Sequence, residues 1–453
     1  MLPEEYIHKI RKILQEPPLN DIQELVLNMC WEGKTYTEIA TFSKYEESYI
    51  RDIGSKLWQR LSKQLNFKVS KHNLRGTLQK YLNEELPTTK FLGNQANNLK
   101  SYRTSSSSNI IVPGNILPLN SDFYIDRPPY EEIAYRQIRI PGSILKIRSP
   151  EKMGKSSLLI RTLSLANQQN YKTIEIDFKQ VELANLQNID IFLGWLCKNV
   201  AYQLDIPGKL NEFWSLDLGA KVSCSLFFKT CILKQIETPL VLAFNDLDKL
   251  FKYPQIAQDF LPLIRFWHEQ ANQNPIWQKL RIILSYSTEN YIPLNLHQSP
   301  FNVGTTIKLP PLTRKQVGNF ISTYNSIDNF DYQNLETLLD DLYSMVGGHP
   351  YLIHLALYHH KYHYFGWQKI LELAPTEEGI YASHLHHLAS IINSQSQLKK
   401  TLIKLTIAKR PIKIDSLSAY QLEGLGIICR IGNLVRLSCL LYRLYFRHIL
   451  IVT

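Results

Sequence analysis

Residues 149–157 of the chain read Ser149-Pro150-Glu151-Lys152-Met153-Gly154-Lys155-Ser156-Ser157. The apolar stretch Ser143–Arg148 before them predicts a strand, and Ser156–Gln169 predicts a helix. A loop between a strand and a helix presents backbone N–H groups and the positive end of the helix dipole to an anion. The segment therefore predicts a phosphate-binding loop, and we expect all nine residues to take part in binding a nucleotide.

Three residues of the loop suit that task by their chemistry. Gly154 lets the backbone approach a phosphate closely, Lys155 brings an ammonium group to the terminal phosphates, and the Ser156 hydroxyl can ligate Mg²⁺. Ser149 stands where such loops usually carry their first glycine, which weakens the match. The alternative is a chance Gly-Lys-Ser-Ser sequence, which the strand–loop–helix context disfavours. The ligands predicted are ATP or ADP, with Mg²⁺.

A second apolar strand, Pro239–Phe244, is followed by Asn245-Asp246-Leu247-Asp248. Hydrolysis at a phosphate loop usually needs one carboxylate for the metal and another to polarise the attacking water. Asn245 is neutral, so Asp246 is the candidate catalytic residue; alternatively it is the metal ligand, and no base is left. We predict nucleotide binding with slow or absent turnover. The plain alternative is that Asp246 and Asp248 are solvated residues at a strand end.

Two further segments can reach a bound nucleotide. Ser287 and Thr288 follow the strand Leu280–Ser285, and either can contact the γ-phosphate or simply form a turn. The sequence Gly347-Gly348-His349-Pro350-Tyr351 predicts a sharp helix start. Alternatively it forms a lid loop, in which His349 and Pro350 touch the nucleotide.

Composition excludes several classes of protein. The chain has 453 residues, 44% of them hydrophobic and 20% charged, which predicts about three folded units and excludes a largely disordered chain. No apolar run approaches the ~18 residues of a membrane span, and the charged start lacks the apolar core of a signal peptide. The six cysteines show no Cys-x-x-Cys spacing. We expect a cytoplasmic protein with reduced thiols and no membrane partner.

The order of predicted elements divides the chain. Buried strands that alternate with helices predict an α/β fold, a parallel sheet with helices on both faces. A polar, Pro- and Ser-rich stretch predicts a linker, and late helices followed by the hairpin Ile427–Leu437 predict a winged helix. The predicted division is a helix-turn-helix domain over 1–85, a flexible linker over 86–121, a phosphate-loop core over 122–312, a helical lid over 313–376 and a winged-helix domain over 377–453.

Residues 1–85 have the pattern of a helix-turn-helix. Thr35 and Glu38 predict a capping box at the start of a short helix, Tyr36–Thr41, and a longer helix runs from Glu46 to Leu65. That longer helix would present five residues to DNA: Tyr49, Arg51, Ser55, Lys56 and Arg60. Neighbouring acidic residues leave open a small module that never touches DNA and instead recruits another protein.

The formal net charge of +11 is concentrated at the end of the chain. Residues 394–453 contain ten Lys or Arg and two acidic residues, so they carry +8. Such an excess suits an acidic partner such as nucleic acid, although a merely solubilising surface explains it equally well.

Together these segments resemble a bacterial AAA-like P-loop family allied to the STAND signalling NTPases. The residues that carry the resemblance are Phe123–Glu132, Ser149–Ser157, Leu240–Phe251, Ser287–Glu289, Ser299–Gly304, Gly347–Leu352 and Tyr442–Arg447. Residues 19–75 resemble the helix-turn-helix at the N-terminus of vWA-MoxR-associated proteins. The fold implied is a P-loop NTPase core with a helical lid and a winged helix.

The resemblance also implies roles for single residues. Arg127 would help to hold the base, Lys155 and Ser156 would bind phosphates and Mg²⁺, and Pro350 would face the nucleotide from the lid. Family members carry Asp-Glu where this chain has Asn245-Asp246, which puts turnover in doubt more than binding. The implied function is a switch whose nucleotide state controls domain arrangement and self-assembly. The alternative is a DNA-binding regulator that keeps a degenerate P-loop scaffold.

Overall fold

The computed structural model describes residues 21–31, 34–43, 45–65, 69, 111–206, 210–215, 217–287, 299–328, 335–362 and 366–451. The chain divides into two compact units, residues 1–105 and 106–453. In the part of the chain that the structure describes, no helix is long and apolar enough to cross a membrane.

The described residues of the first unit form three helices, α1 (Asp21–Trp31), α2 (Tyr36–Ser43) and α3 (Glu47–Leu65). The predicted capping box is confirmed, because the Glu38 N–H donates to Thr35 Oγ1 at 3.2 Å and the Thr35 N–H donates to Glu38 Oε2 at 2.6 Å. Apolar residues at helical spacing form a small core. Gly54 allows α2 and α3 to approach closely, since a Cβ there would lie 2.7 Å from Tyr36 Oη.

The second unit is built on a five-stranded parallel sheet. Its strands are β1 (Ile144–Ser149), β2 (Lys172–Asp177), β3 (Leu240–Asn245), β4 (Leu280–Ser287) and β5 (Thr305–Lys308), in the order β2-β3-β4-β1-β5. Every residue of β3 and β4 is buried. Because alternate side chains of a strand point to opposite faces, continuous burial means that both faces are covered.

Helices cover both faces of this sheet, as predicted. One face packs against α4 (Tyr130–Gln137) and α5 (Lys155–Gln168). The other packs against α6 (Ile189–Gln203), α8 (Ala220–Phe227, continued by a π-helical turn Phe228–Leu233) and α9 (Pro254–Gln270), with the short α7 (Leu210–Phe213) nearby. The sequence pattern places strands β1–β4 and the helices α5 and α9 within about two residues, but it does not predict β5, and the predicted helical region 181–237 is broken into several helices.

Residues 111–125, here called the strap, pack against the body of the unit. The Leu117 N–H donates to Ser157 Oγ at 3.2 Å, and Arg161 on α5 donates to the Pro118 carbonyl at 2.7 Å. The strap therefore includes residues whose composition predicts a flexible linker. The hydrogen bond from Arg161 to a backbone carbonyl of the strap explains the difference, because composition does not reveal such contacts.

The C-terminal helices are α10 (Arg314–Asp328), α11 (Leu335–Val346), α12 (Pro350–Tyr362), α13 (Trp367–Leu373), α14 (Ala382–Asn393), α15 (Ser396–Ile407), α16 (Ser416–Gly424) and α17 (Leu440–Ile451). An antiparallel hairpin, β6 (Ile428–Ile431) with β7 (Leu434–Leu437), precedes α17. A single hydrophobic cluster joins α10–α13 to α14–α17. The described residues between 313 and 451 thus share one core, and we call them the C-terminal body; the winged-helix assignment stays a prediction.

Candidate functional site

The loop after β1 has the backbone that its sequence predicts. β1 ends at Ser149 and α5 begins at Lys155, so the intervening residues form the loop at the helix N-terminus. Gly154 has φ +93°, and a Cβ there would lie 2.8 Å from Arg127 Nη2. A side chain at this position would meet both strain and a steric clash, so the loop depends on this glycine.

Lys155, the first residue of α5, contacts both the loop and the end of β4. Its buried ammonium donates to the Ser149 carbonyl at 3.1 Å, to the Pro150 carbonyl at 2.8 Å and to Ser287 Oγ at 2.9 Å. Ser149 and Ser287 are paired in the β1–β4 register, which explains why one ammonium reaches both strand ends. Thr288, the other predicted phosphate sensor, lies outside the described residues.

Polar contacts connect the start of α5 to the end of β3. Ser156 Oγ donates to Asn245 Oδ1 at 3.3 Å, and Asn245 Nδ2 donates to Glu175 Oε1 at 3.0 Å. Burial raises the pKa of Glu175, and the neighbouring carboxylates add to this rise while Asn245 opposes it. Asn245 therefore uses both ends of its amide in bridging α5 and β2.

Asp246 and Asp248 have different surroundings. Asp246 has φ +51°, and its Oδ2 lies 2.5 Å from the ammonium of Lys179. Asp248 Oδ1 accepts the Ser287 N–H at 2.7 Å. Burial raises the pKa of Asp248 above its ordinary value, although the Ser287 N–H and Lys155 oppose this. Asp248 therefore joins the ends of β3 and β4, and the interpretation as a solvated residue does not fit it.

Arg127 braces the loop from the other side. Its guanidinium is buried and Nη1 donates to the Met153 carbonyl at 2.8 Å and to the Pro310 carbonyl at 3.3 Å. Burial lowers its pKa, with Tyr124 and Glu131 opposing the shift. These contacts place Arg127 against the loop backbone. The role in holding a base that the resemblance implies for Arg127 stays a prediction.

These groups surround a main cavity of about 450 Å³. Loop residues Glu151, Lys152 and Gly154–Ser157 line it together with Lys179, Asp246, Lys249 and Ser287. Strap residues, Leu312, Pro350 and Tyr351 line it too, and Phe123, Phe320 and His354, whose rings contact one another, form what we call its apolar end. Five cationic side chains and two carboxylates line it, so the lining carries an excess of three positive charges. A lining that combines cations with aromatic and apolar side chains suits a phosphorylated ligand with a flat apolar part.

The two lid residues predicted to touch the nucleotide, His349 and Pro350, line different cavities. Pro350 begins α12 and lines the main cavity, whereas His349 lines a second cavity of about 290 Å³ with Glu151, Lys152 and His384. Gly348 packs on the core, because its carbonyl accepts the Leu312 N–H at 2.7 Å and a Cβ there would lie 1.8 Å from the Leu312 carbonyl oxygen.

Comparison with known proteins agrees with this fold. Residues 112–448 match the family model described as AAA-like domain. The chain belongs to the AAA-like domain family. Residues 5–81 of this AAA-like protein match the model described as vWA-MoxR associated protein N-terminal HTH.

Solved structures resemble this AAA-like protein at low sequence identity. A Walker-type ATPase of Pyrococcus abyssi is 13% identical with a TM-score of 0.51, and the match covers 72% of this chain and 96% of that one. The Aeropyrum pernix ORC2 protein, solved as ADPNP-ADP complexes, is 15% identical with a TM-score of 0.43, over 72% and 95% of the two chains. At such identities the first likeness shows the fold alone.

One curated relative matches part of the chain. An uncharacterized WD repeat-containing protein of Synechocystis sp. is 24% identical over 245 residues, which is 53% of this chain. The match spans 20% of that relative's length.

The helix α3 of this AAA-like protein carries the residues predicted to meet DNA. Tyr49, Arg51, Ser55 and Lys56 are exposed and Arg60 is half-buried. Two of the cations already have partners on their own helix: Arg51 pairs with Glu47, and Lys56 Nζ lies 2.7 Å from Asp52 Oδ2. The surface is therefore less positive than its basic residues alone suggest.

Sequence reasoning missed Lys179 and the aromatic end of the cavity. Lys179 follows β2, and the carboxyl ends of neighbouring parallel strands meet at one edge, so strand order would have indicated it. His354 stacks with Phe123 at a centroid distance of 5.5 Å and an interplanar angle of 24°. Its Nε2 has no hydrogen-bond partner among the described residues. Phe123 begins the segment Phe123–Glu132 that carries the resemblance, but that segment gave its ring no role, and no local motif marks His354.

Buried histidines predict a stability that depends on pH. Burial lowers the pKa of His354 and of His384 from 6.5 to about 4, so the unfolded chain takes up protons that the folded chain refuses. The stability is therefore complete above about pH 6.5 and falls as the pH drops toward 4. When the pH falls from ~7 to ~5, protonation of each such histidine in the unfolded chain lowers the free energy of unfolding by roughly 2 kcal/mol.

Urea unfolding of the nucleotide-free protein across this range measures the effect. His354→Phe, which keeps a ring in the aromatic cluster, should lose less stability on acidification than the wild type. His448→Gln, at an exposed position on α17, is the matched control and should follow the wild type. Equal pH slopes for His354→Phe and wild type would contradict the prediction.

Proposed function

We propose that this AAA-like protein binds ATP or ADP in the main cavity and acts as a nucleotide-dependent switch. The observation that carries the proposal is the position of Lys155, whose ammonium sits between two strand ends, at the N-terminus of α5 and on the wall of a cationic cavity. Backbone N–H groups of residues 151–155 and this ammonium would hold the phosphates. Ser287 and Asp246, also on the wall, would lie nearest to the terminal phosphate.

The apolar end of the cavity would hold the base. Phe123 and His354 provide stacked rings there, and Pro350 with Tyr351 belongs to the lid. Flat aromatic surfaces favour a planar heterocycle through stacking and burial of apolar area. The apolar end therefore favours a nucleotide over inorganic phosphate as the ligand of this cavity.

Magnesium fits this site less well than nucleotide does. The sequence predicts Ser156 and Asp246 as its ligands, but the Ser156 hydroxyl bonds the neutral Asn245 amide and Asp246 pairs with Lys179. Mg²⁺ usually needs one or two carboxylates in addition to substrate phosphates. Among the described residues, no cluster of three His, Cys, Asp or Glu side chains could hold a metal ion.

A switch needs contacts that the nucleotide can change. Contacts that join the loop and sheet to the C-terminal body include three: Pro150 packs near Gly426, Lys308 Nζ lies 2.5 Å from Glu423 Oε1, and Glu151 lies 3.9 Å from His387 Nε2. The first and third involve the phosphate loop itself. Movement of that loop would therefore reach the C-terminal body directly, which supports a STAND-like switch that controls domain arrangement and self-assembly.

The first test is nucleotide affinity. Lys155→Ala should weaken ATP and ADP binding by about a hundredfold, because it removes charge-assisted hydrogen bonds worth roughly 3 kcal/mol. Equilibrium binding of labelled nucleotide to the full chain measures this, after bound nucleotide has been removed and identified. Lys198→Ala, which replaces an exposed lysine on α6, is the control. Equal affinities for wild type and Lys155→Ala would contradict the proposal.

The second test is turnover. Asn245 provides no carboxylate beside Ser156, so phosphate release by the wild type should be slow or absent. Asn245→Asp should raise the rate by roughly tenfold or more. The double variant Asn245→Asp/Lys155→Ala should lose that gain, which assigns the rate to this site. Rapid release by the wild type would show that Asn245 does not limit hydrolysis.

DNA binding is a second candidate function, which the match of residues 5–81 to a helix-turn-helix favours. The exposed residues of α3 would contact DNA, but Arg51 and Lys56 must first release their intrahelical partners. Such exposed pairs contribute little to stability, so their loss would oppose binding only weakly.

A mobility-shift titration of the full chain in increasing salt tests this function. The logarithm of the binding constant should fall linearly as the logarithm of the salt concentration rises. The double variant Lys56→Ala/Arg60→Ala should make this slope shallower by about two. The control Lys198→Ala should retain the wild-type slope. If no shift occurs at low salt, the helix-turn-helix does not bind DNA.

A further inference from the structure

We infer that Lys179 supplies positive charge to the nucleotide phosphates in place of a divalent cation, so that this site binds nucleotide without Mg²⁺. The inference deepens the proposed nucleotide site and rests on it. Three observations carry it: the position of Lys179, the chemistry of the residues around Ser156, and the charge of the cavity.

The sheet register fixes the position of Lys179. Asp177 at the end of β2 pairs with Asn245 at the end of β3, so the residues that follow each strand lie side by side. The Lys179 N–H donates to Asp177 Oδ1 at 2.9 Å, which holds the turn. From there the ammonium extends to 2.5 Å from Asp246 Oδ2, on the wall of the main cavity.

The residues around Ser156 leave little for a divalent cation to bind. Asn245 is neutral and its amide is engaged by both Ser156 and Glu175. Asp246 is the carboxylate of the cavity wall at this strand end, and the charge of Lys179 already compensates it. A cation that entered here would meet the neutral oxygens of Ser156 and Asn245, the Glu175 carboxylate that already accepts from Asn245, and an Asp246 carboxylate beside a repelling ammonium.

Lys179 can serve the phosphates without giving up Asp246. Its side chain is 59% exposed and an ammonium has three donors, so it can keep its ion pair with Asp246 and direct a hydrogen bond into the cavity. Partial burial lowers its pKa, but the hydrogen bond and charge of Asp246 outweigh this and raise the pKa overall, which keeps the group protonated. With Lys152, Lys155 and Arg127 on the same wall, the cavity offers an anion several cations of its own.

Titration of the full chain with fluorescent ADP, in buffer with Mg²⁺ and in buffer with EDTA, tests the inference. The two dissociation constants of the wild type should differ by less than about threefold. Lys179→Gln should weaken binding by about tenfold in EDTA, the loss expected for one charge-assisted hydrogen bond. The matched control is Lys221→Gln, which breaks an exposed ion pair with Asp259 at 2.6 Å outside the cavity and should bind like wild type.

A second variant reverses the arrangement. Lys179→Gln/Asn245→Asp removes the ammonium and places a carboxylate beside Ser156, so its ADP affinity should become about tenfold higher with Mg²⁺ than with EDTA. Far-UV circular dichroism of each variant checks that the fold is intact.

The outcomes separate the inference from the proposed function. Wild-type binding that is lost in EDTA overturns the inference and leaves the nucleotide site standing, and so does Lys179→Gln with wild-type affinity in EDTA. Absence of ADP binding in both buffers overturns the proposed function itself. Metal-independent binding that Lys179→Gln weakens supports both.

Discussion

The ammonium of Lys155 bonds the carbonyls of Ser149 and Pro150 and the hydroxyl of Ser287, and the geometry of the site depends on these contacts. They hold the phosphate loop against the end of a neighbouring strand, which a parallel sheet makes possible by bringing carboxyl ends together. Asp248 strengthens the same edge by accepting the Ser287 N–H. The main cavity lies where these strand ends and the N-terminus of α5 meet.

At this edge of the sheet, a neutral amide and a carboxylate paired with an ammonium stand where two free carboxylates could have stood. Where the family pattern has an acidic residue, Asn245 bridges Ser156 and Glu175 through its amide, and the next carboxylate, Asp246, is matched by Lys179. The result is a cavity with more cations than carboxylates. Such a lining favours holding an anion over activating water, because activation needs an uncompensated base.

Much of the fold follows from local patterns, and much of the site does not. Continuous apolar strands and the Gly154-Lys155-Ser156 loop were recognisable because burial on both faces and phosphate binding impose their own residue types. β5 was missed because Thr305–Lys308 is four residues long and largely polar, with Ile307 alone buried. The positions of Lys179 and His354 in the site, and the role of the Phe123 ring, escaped prediction because they depend on long-range pairing of strands and helices, which no short window of sequence contains.

The shared core of the C-terminal body has a mechanical consequence. Because α10–α13 and α14–α17 pack around one hydrophobic cluster, they resist sliding past each other. The backbone contact between Gly348 and Leu312 lies where this body joins the sheet, and it has no room for a side chain. The neighbouring Gly347 lies against Ser438 and Cys439 at the start of α17, so a shift at this junction would carry the hairpin and α17 along with the rest of the body as one rigid piece.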